Sequence, residues 1–80
     1  MFEILNDKVI YKINNEEVGY VLFSKKDNNM ISIDKVYVKE KHRGKGIARE
    51  MLEYTYDYFT KRKIKILYEC SYSKKWNSVK

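Results

Sequence analysis

The sequence contains no proline, three glycines, one histidine and a single cysteine. One cysteine cannot form an internal disulfide, so a reducing cytoplasm is the default expectation. One histidine and one cysteine also lack the spacing of a metal site. No apolar run approaches the roughly 20 residues that cross a bilayer. The N-terminus lacks the charged region and apolar core of a signal peptide. We therefore expect a cytoplasmic protein that holds no metal and has no membrane partner.

The composition is that of a small folded domain. The chain has 80 residues, of which 44% are hydrophobic and 15% aromatic, so a single domain over residues 1–80 with a limited core is expected. The 17 basic residues exceed the 11 acidic ones, giving a net charge of +6. An excess of this size favours an anionic partner, which leaves a phosphorylated cofactor, nucleic acid or an anionic surface open.

The most informative segment is Arg43-Gly44-Lys45-Gly46-Ile47-Ala48, which follows an apolar run and opens a helical pattern. Glycine lets a backbone approach a ligand closely, and the first N–H groups of a helix have no internal partners. These groups and the helix dipole favour an anion such as phosphate. The segment lacks the third glycine of the dinucleotide fingerprint and the spacing of the P-loop.

The segment does fit the pattern Arg/Gln-x-x-Gly-x-Gly/Ala through Arg43, Gly46 and Ala48. It resembles the acyl-CoA-binding motif of the GCN5-related N-acetyltransferases. The similarity continues through Val36-Tyr37-Val38, Met51-Leu52 and Cys70-Ser71-Tyr72, as in a small, shortened, single-domain branch of that superfamily. The resemblance implies acetyl-CoA as cosubstrate. The cofactor-binding residues it implies are Val36, Val38, Arg43, Gly44, Lys45, Gly46, Ile47 and Ala48.

Strand patterns fill the first half of the chain. Phe2–Asn6 and Val9–Ile13 form one bent strand or two, and Asn14-Asn15 fits a tight turn. In Val18–Ser24 both faces are apolar, which indicates a strand covered on both sides. A polar hairpin loop is expected over residues 25–29. In Met30–Val38 the apolar residues change from odd to even positions, which predicts an inserted bulge.

A long helix is predicted from Gly46 to about Arg62, followed by a strand over Ile64–Tyr68. A strand-helix-strand order implies a right-handed crossover and a parallel pair. Ser71 or Ser73 is expected to cap a last helix running through Trp76. The fold class is therefore α+β: a mainly antiparallel sheet of four to five strands with a bulged central strand, one long helix, a parallel crossover strand and a short C-terminal helix.

Two residues are the catalytic candidates. Cys70 follows the final strand and is a possible nucleophile, a lining residue of the acyl pocket, or a small buried residue. Tyr72 is a possible proton donor to the departing thiolate. Asp34 and Lys35 lie in the bulged strand, where many members of the superfamily place a carboxylate base or polar residues. The lone histidine, His42, is expected to be solvated surface.

Three functions remain open at this point. The first is an acetyl-CoA-dependent N-acetyltransferase acting on a small amine or on a protein or peptide amine. The second is an acyl-CoA-binding module with little or no transferase activity. The third is a small basic nucleic-acid-binding protein, which would present basic and aromatic residues on one sheet face. We rank nucleic acid last, and both a monomer and a homodimer are compatible with the sequence.

Overall fold

A computed structural model describes residues 1–79 as an α+β fold built on one five-stranded sheet. The strands lie in sequence order, and the first four form an antiparallel meander. The fifth pairs in parallel with the fourth after a helical crossover. The elements are β1 (Phe2–Ile4), β2 (Lys8–Ile13), β3 (Glu16–Asp27), β4 (Met30–Val38), a 3-10 turn (Glu40–His42), α1 (Ile47–Lys61), β5 (Lys65–Tyr68) and α2 (Ser71–Ser78). No helix of the described part is long and apolar enough to span a membrane.

The turn between β2 and β3 forms where the sequence predicts it. Asn14 and Asn15 both have positive φ, at 52° and 66°, which asparagine tolerates. The predicted loop over residues 25–29 is wrong, because β3 continues to Asp27 and pairs with Met30. Only Asn28 and Asn29 form the turn. There, the Asn29 N–H donates to the Asp27 carboxylate at 2.9 Å. Polar side chains on this exposed ribbon do not prevent the backbone from pairing.

The predicted bulge in β4 is confirmed at Asp34. Leu22 of β3 lies opposite Lys35 and Phe23 lies opposite Ile33, so Asp34 has no partner in the register. The extra residue shifts the alternation, and side chains at 33 and 36 therefore both face the core. This inserted residue explains why the apolar residues of the strand move from odd to even positions in the sequence.

Helix α1 spans Ile47–Lys61, close to the predicted Gly46–Arg62, and covers one face of the sheet. Its buried stripe includes Met51, Leu52 and Phe59, which belong to one core cluster with the inward residues of the sheet. Burial of each such side chain contributes about 2 kcal/mol. Thr55 also lies in this stripe, and its hydroxyl is satisfied by donating to the Met51 carbonyl at 2.7 Å.

Covering of β3 on both sides is not observed in residues 1–79. Val21 is fully buried beneath α1, whereas Tyr20 and Leu22 on the opposite face are only half-buried. Helix α2 does not cover that face, because Trp76 contacts the rings of Tyr56 and Tyr68 on the α1 side. The open face is covered in part by its own side chains.

The last helix runs from Ser71 to Ser78 and so passes through Trp76, as expected. The predicted serine cap is wrong: the N-cap residue is Cys70, and it makes no side-chain capping bond. Ser73 is fully buried, and its hydroxyl instead donates back to the Cys70 carbonyl at 2.8 Å. This bond tightens the first turn of α2 directly after β5.

Candidate functional site

A wedge opens between β4 and β5 at the level of the bulge. Strand pairing ends at Ile33 and Tyr68, and the N–H groups of Glu69 and Cys70 both donate to the Ile33 carbonyl, at 3.0 and 3.2 Å. The chain then turns into α2, so no strand of the described residues faces β4 beyond this point on that side. The shared acceptor marks the apex of the wedge.

The main chain of Val36 and Val38 faces this wedge. The Lys39 N–H donates to the Val18 carbonyl on the β3 side, at 2.8 Å. Because consecutive residues of a strand direct their main-chain groups to opposite neighbours, Val38 and Val36 direct theirs to the β5 side. They form a strand edge that has no partner strand among residues 1–79.

A cleft of about 390 Å³ lies between this edge, the glycine loop and the start of α2. It contains eight of the ten residues proposed from the sequence, together with Tyr37 and His42. Its lining consists of Val36, Tyr37, Val38, His42, Arg43, Gly44, Gly46, Ile47, Ala48 and Tyr72. The exposed Lys45 and the half-buried Cys70 do not line it.

The glycine loop presents a row of main-chain donors. Gly44 and Gly46 have φ of 79° and 81°, a left-handed conformation that L side chains rarely adopt. Within residues 1–79, the N–H groups of residues 44–49 have no hydrogen-bond acceptor. These donors lead into the first turn of a 15-residue helix and include its first three residues, so the helix dipole adds to their attraction for an anion.

Arg43 holds the loop against the strand. Its Nε donates to the Val38 carbonyl at 2.8 Å, and its guanidinium carbon lies 5.8 Å from the centre of the Tyr37 ring. The Val38 carbonyl is therefore occupied, which leaves the Val38 N–H and the main chain of Val36 for a ligand. The first arginine of the motif thus has a structural task in addition to its charge.

His42 is the main site correction to the sequence analysis. Solvated surface was expected, but both ring nitrogens are buried and have no hydrogen-bond partner among the described residues. The 3-10 turn, closed by the His42 N–H bond to the Lys39 carbonyl at 2.9 Å, turns the ring toward the cleft. Buried polar groups are normally satisfied, so these two atoms lack a partner that a bound polar ligand could provide.

Some of the basic residues near the loop are paired with acidic side chains. Glu16 lies 3.1 Å from the Lys39 ammonium and 3.7 Å from that of Lys41. The hydrogen bond from Lys39, with the charge of Lys41, holds the pKa of Glu16 below its ordinary 4.5. Arg49 pairs with Glu53 at 3.3 Å, four residues further along α1. Arg43 and Lys45 have no acidic partner in the described part of the chain.

The two catalytic candidates occupy different places. Tyr72 is 43% exposed and lines the cleft from the first turn of α2. Cys70 marks the wedge apex through its N–H bond to Ile33, and its carbonyl accepts from the Lys74 N–H and from the Ser73 hydroxyl. The structure therefore brings Tyr72, but not the Cys70 thiol, to the cleft wall.

A polar cluster at the bulge was missed by the sequence analysis. The Asp34 carboxylate accepts hydrogen bonds from Ser24 and Ser32 at 2.8 and 2.7 Å, and the two hydroxyls lie 3.1 Å apart. Ser32 is fully buried, whereas Asp34 is exposed. The cluster holds one carboxylate at the point where β4 parts from β5. The small polar residues that alternate with apolar ones in Ser32-Ile33-Asp34 were the available signal.

Comparison with known proteins agrees with this architecture. The sequence model of the family described as GCN5-related N-acetyl-transferase matches residues 2–79. A GCN5-like protein from Staphylococcus aureus, solved by NMR, is 21% identical with a TM-score of 0.78, and the match covers 99% of this chain and 78% of that one. A search among curated protein sequences finds no match.

Two larger enzymes share the fold. The ribosomal-protein-alanine N-acetyltransferase from Brucella melitensis is 25% identical with a TM-score of 0.69, over 79% of this chain and 49% of that enzyme. A protein from Bacillus anthracis assigned as a streptothricin acetyltransferase, solved with acetyl coenzyme A, is 17% identical with a TM-score of 0.60, over 78% of this chain and 40% of that one. The chain thus spans about half the length of these enzymes. Since the family model spans nearly the whole sequence and the sheet, bulge and wedge have the expected form, the chain belongs to the GCN5-related N-acetyltransferases.

Proposed function

We propose that this chain is an acetyl-CoA-dependent N-acetyltransferase that acts on a primary amine. The class of reaction follows from family membership. The observation that carries the proposal is the row of N–H groups at residues 44–49 that have no acceptor in the described part of the chain, beside a cleft and a strand edge that has no partner strand there. One end of this site suits a pyrophosphate, and the other suits an extended chain with amide groups.

The residues present fit acetyl-CoA in three respects. Main-chain donors at Gly46 and its neighbours would hold the pyrophosphate. Val36 and Val38 would pair with the amides of the pantetheine arm, in the way a strand pairs with its neighbour. The buried ring of His42 offers a further hydrogen bond inside the cleft. An extended arm that follows the edge of β4 would direct its thioester toward the wedge apex at Ile33.

Transfer requires an amine nitrogen to attack the thioester carbonyl, so that a C–N bond forms, the C–S bond breaks and sulfur leaves as a thiolate. The amine loses a proton, and the thiolate gains one. Asp34 is well placed for the first task, because two serine hydroxyls fix its carboxylate near the apex while it stays exposed to an incoming ammonium. The Tyr72 phenol on the cleft wall would serve the second.

We infer direct transfer rather than an acyl-cysteine intermediate. Cys70 does not line the cleft, whereas Tyr72 does. Direct transfer depends mainly on holding the two reactants in a productive geometry, and a fixed wedge supplies such a geometry without a covalent step.

The first test is calorimetric titration with acetyl-CoA, using ATP and a short single-stranded oligonucleotide as controls. Near-stoichiometric binding of acetyl-CoA, with ATP weaker, supports the site. The oligonucleotide is included because the open sheet face carries a Tyr20–Tyr37 stack at 5.3 Å and Lys8 at 5.4 Å from the Tyr20 ring. Preferential, salt-sensitive oligonucleotide binding would contradict the proposal.

Turnover is then measured as thiol release from acetyl-CoA in the presence of spermidine, a lysine-containing peptide or phenethylamine. Amine-dependent thiol release identifies a transferase. Binding of acetyl-CoA without turnover of any amine would support the non-catalytic binding module instead.

A further inference from the structure

The outer edge of β5 is an unpaired strand edge. β5 is the last strand of the sheet, and β4 is its only partner strand among residues 1–79. The N–H groups of Lys65 and Glu69 both donate to the β4 side, at 2.7 and 3.0 Å. Because consecutive residues of a strand direct their main-chain groups to opposite sides, Ile66 and Tyr68 direct theirs away from β4. Two N–H groups and two carbonyls therefore line the free edge.

A groove of about 530 Å³ follows this edge. Its lining includes Ile66 and Tyr68, which pack against the core on the α1 side, and also Lys65 and Leu67, which are exposed on the opposite face. Since residues of both faces border one groove, the groove lies along the edge of the strand. The sequence has no proline and the β5 register is continuous, so these two common protections of a strand edge are missing in β5.

The exposed side chains of β5 and the residue after it are complementary to themselves. Lys65, Leu67 and Glu69 alternate along one face, and all three are exposed. Read in the opposite direction, the same face presents glutamate, leucine and lysine. Neither charged residue has an ion-pair partner in the described part of the chain. They do not pair with each other, because four residues of a strand separate them by about 13 Å.

We propose that a second copy of this chain pairs with β5 as an antiparallel strand, about a two-fold axis at Leu67. In this register, Ile66 of each copy lies opposite Tyr68 of the other, and each such pair exchanges two N–H···O bonds. Leu67 faces its own counterpart across the axis, and Lys65 faces Glu69 in both halves of the interface. The two five-stranded sheets then form one continuous sheet.

The neighbouring registers fit less well. A register centred on Ile66 requires the Ile64 N–H, which already donates to the Phe59 carbonyl at 2.9 Å. A register centred two residues further along sets Leu67 opposite Glu69, so that an apolar side chain faces a charge and the lysine loses its acidic partner. The register centred on Leu67 uses both free residues of each edge and pairs every exposed charge.

The test is sedimentation velocity of the full chain at concentrations up to about 1 mM, because an interface of one short strand is small and its complex weak. We expect the average mass to rise with concentration from 9.7 kDa toward twice that value. Lys65→Glu and Glu69→Lys each set like charges opposite each other, so either variant alone should associate at least about tenfold more weakly. Lys26→Glu is the matched control, since Lys26 is exposed on β3 and does not line the groove.

Mixing the two charge variants tests the register itself. An equal mixture of Lys65→Glu and Glu69→Lys should regain the wild-type association, because the altered faces are again complementary to each other. A wild type that stays monomeric throughout would overturn the proposal. So would a dimer that the charge changes leave intact, or two variants that fail to associate when mixed. The acetyl-CoA site is tested separately and stands or falls independently of these outcomes.

An NMR dilution series locates the contact without any substitution. The amides of Ile66 and Tyr68 should exchange with solvent more slowly as concentration rises. The Leu67 amide, which faces β4, is the internal control and should change less. An equal response of all three amides would place any contact between copies elsewhere on the molecule and overturn the proposed pairing.

Discussion

Replacing Gly46 with glutamate is the sharpest test of the glycine loop. Gly46 has φ of 81°, and a Cβ built on it meets no heavy atom within 4 Å. The new side chain therefore enters open space at the mouth of the cleft rather than the core. Any effect on binding must come from backbone strain and from the charged side chain itself, which takes up space in the cleft that Gly46 lines.

The two contributions can be separated by magnitude. The left-handed backbone costs an L residue about 1–2 kcal/mol of folding free energy, whether or not a ligand is present. A carboxylate about 5 Å from a phosphate charge, at an effective dielectric constant of about 20, repels it by about 3 kcal/mol. That repulsion weakens binding by about two orders of magnitude. Gly46→Ala carries the strain without the charge.

The assay is calorimetric titration of both variants with acetyl-CoA, after thermal melts have confirmed that each is folded. We expect Gly46→Glu to bind about 100-fold more weakly than Gly46→Ala. Asn15→Glu provides a control for added surface charge, because Asn15 is exposed and also has positive φ, on a distant turn. A folded Gly46→Glu protein with the affinity of Gly46→Ala would refute the assignment of the loop to a phosphate.

Three further outcomes are expected. Gly19→Ala places a Cβ 2.7 Å from a β4 carbonyl oxygen, so we expect a loss of about 1–3 kcal/mol in a urea melt, and an unchanged midpoint would contradict this close approach. The pKa of Glu16 is lowered by Lys39, so its ion pair stabilises the fold above pH 4.5 and is lost as pH falls through the lowered pKa. In Lys39→Ala this pKa should rise toward 4.5 in a carboxyl NMR titration, and an unmoved value would show that the pair does not set it. Cys70→Ala should retain both acetyl-CoA affinity, within about threefold, and turnover. Loss of turnover alone would instead indicate an acyl-cysteine step.

Local patterns were sufficient to predict the parts of the fold that position the cleft. The shift of apolar residues from odd to even positions in Met30–Val38 indicates the bulge, because one inserted residue moves every later side chain to the opposite face of the strand. The helix after Gly46 follows from a glycine start and an apolar stripe at helical spacing. Each of these signals is contained within one segment of the chain.

Features that depend on how segments meet were not predicted. The Ser24–Ser32–Asp34 cluster exists because strand register sets Ser24 opposite Ser32, and register is a relation between two strands. The burial of His42 depends on a 3-10 turn of three residues, too short to leave a periodic pattern. The length of β3 was underestimated because polarity near residues 25–27 signals solvent exposure and carries no information on backbone pairing.

The order of the strands has a consequence for the stability of the site. Strands β1 to β4 pair with sequence neighbours, whereas β5 joins β4 only after the chain has passed through α1. Closing this longer loop costs more chain entropy, and just four residue pairs connect β4 with β5. We expect β5 and α2 to open locally before the meander does, so that their amides exchange with deuterium sooner than those at residues 18–23. The reverse order in a native-state exchange experiment would contradict this expectation. One wall of the wedge would then be its least stable part, and a ligand bound between the two walls would protect β5 and α2 from exchange more than it protects the meander.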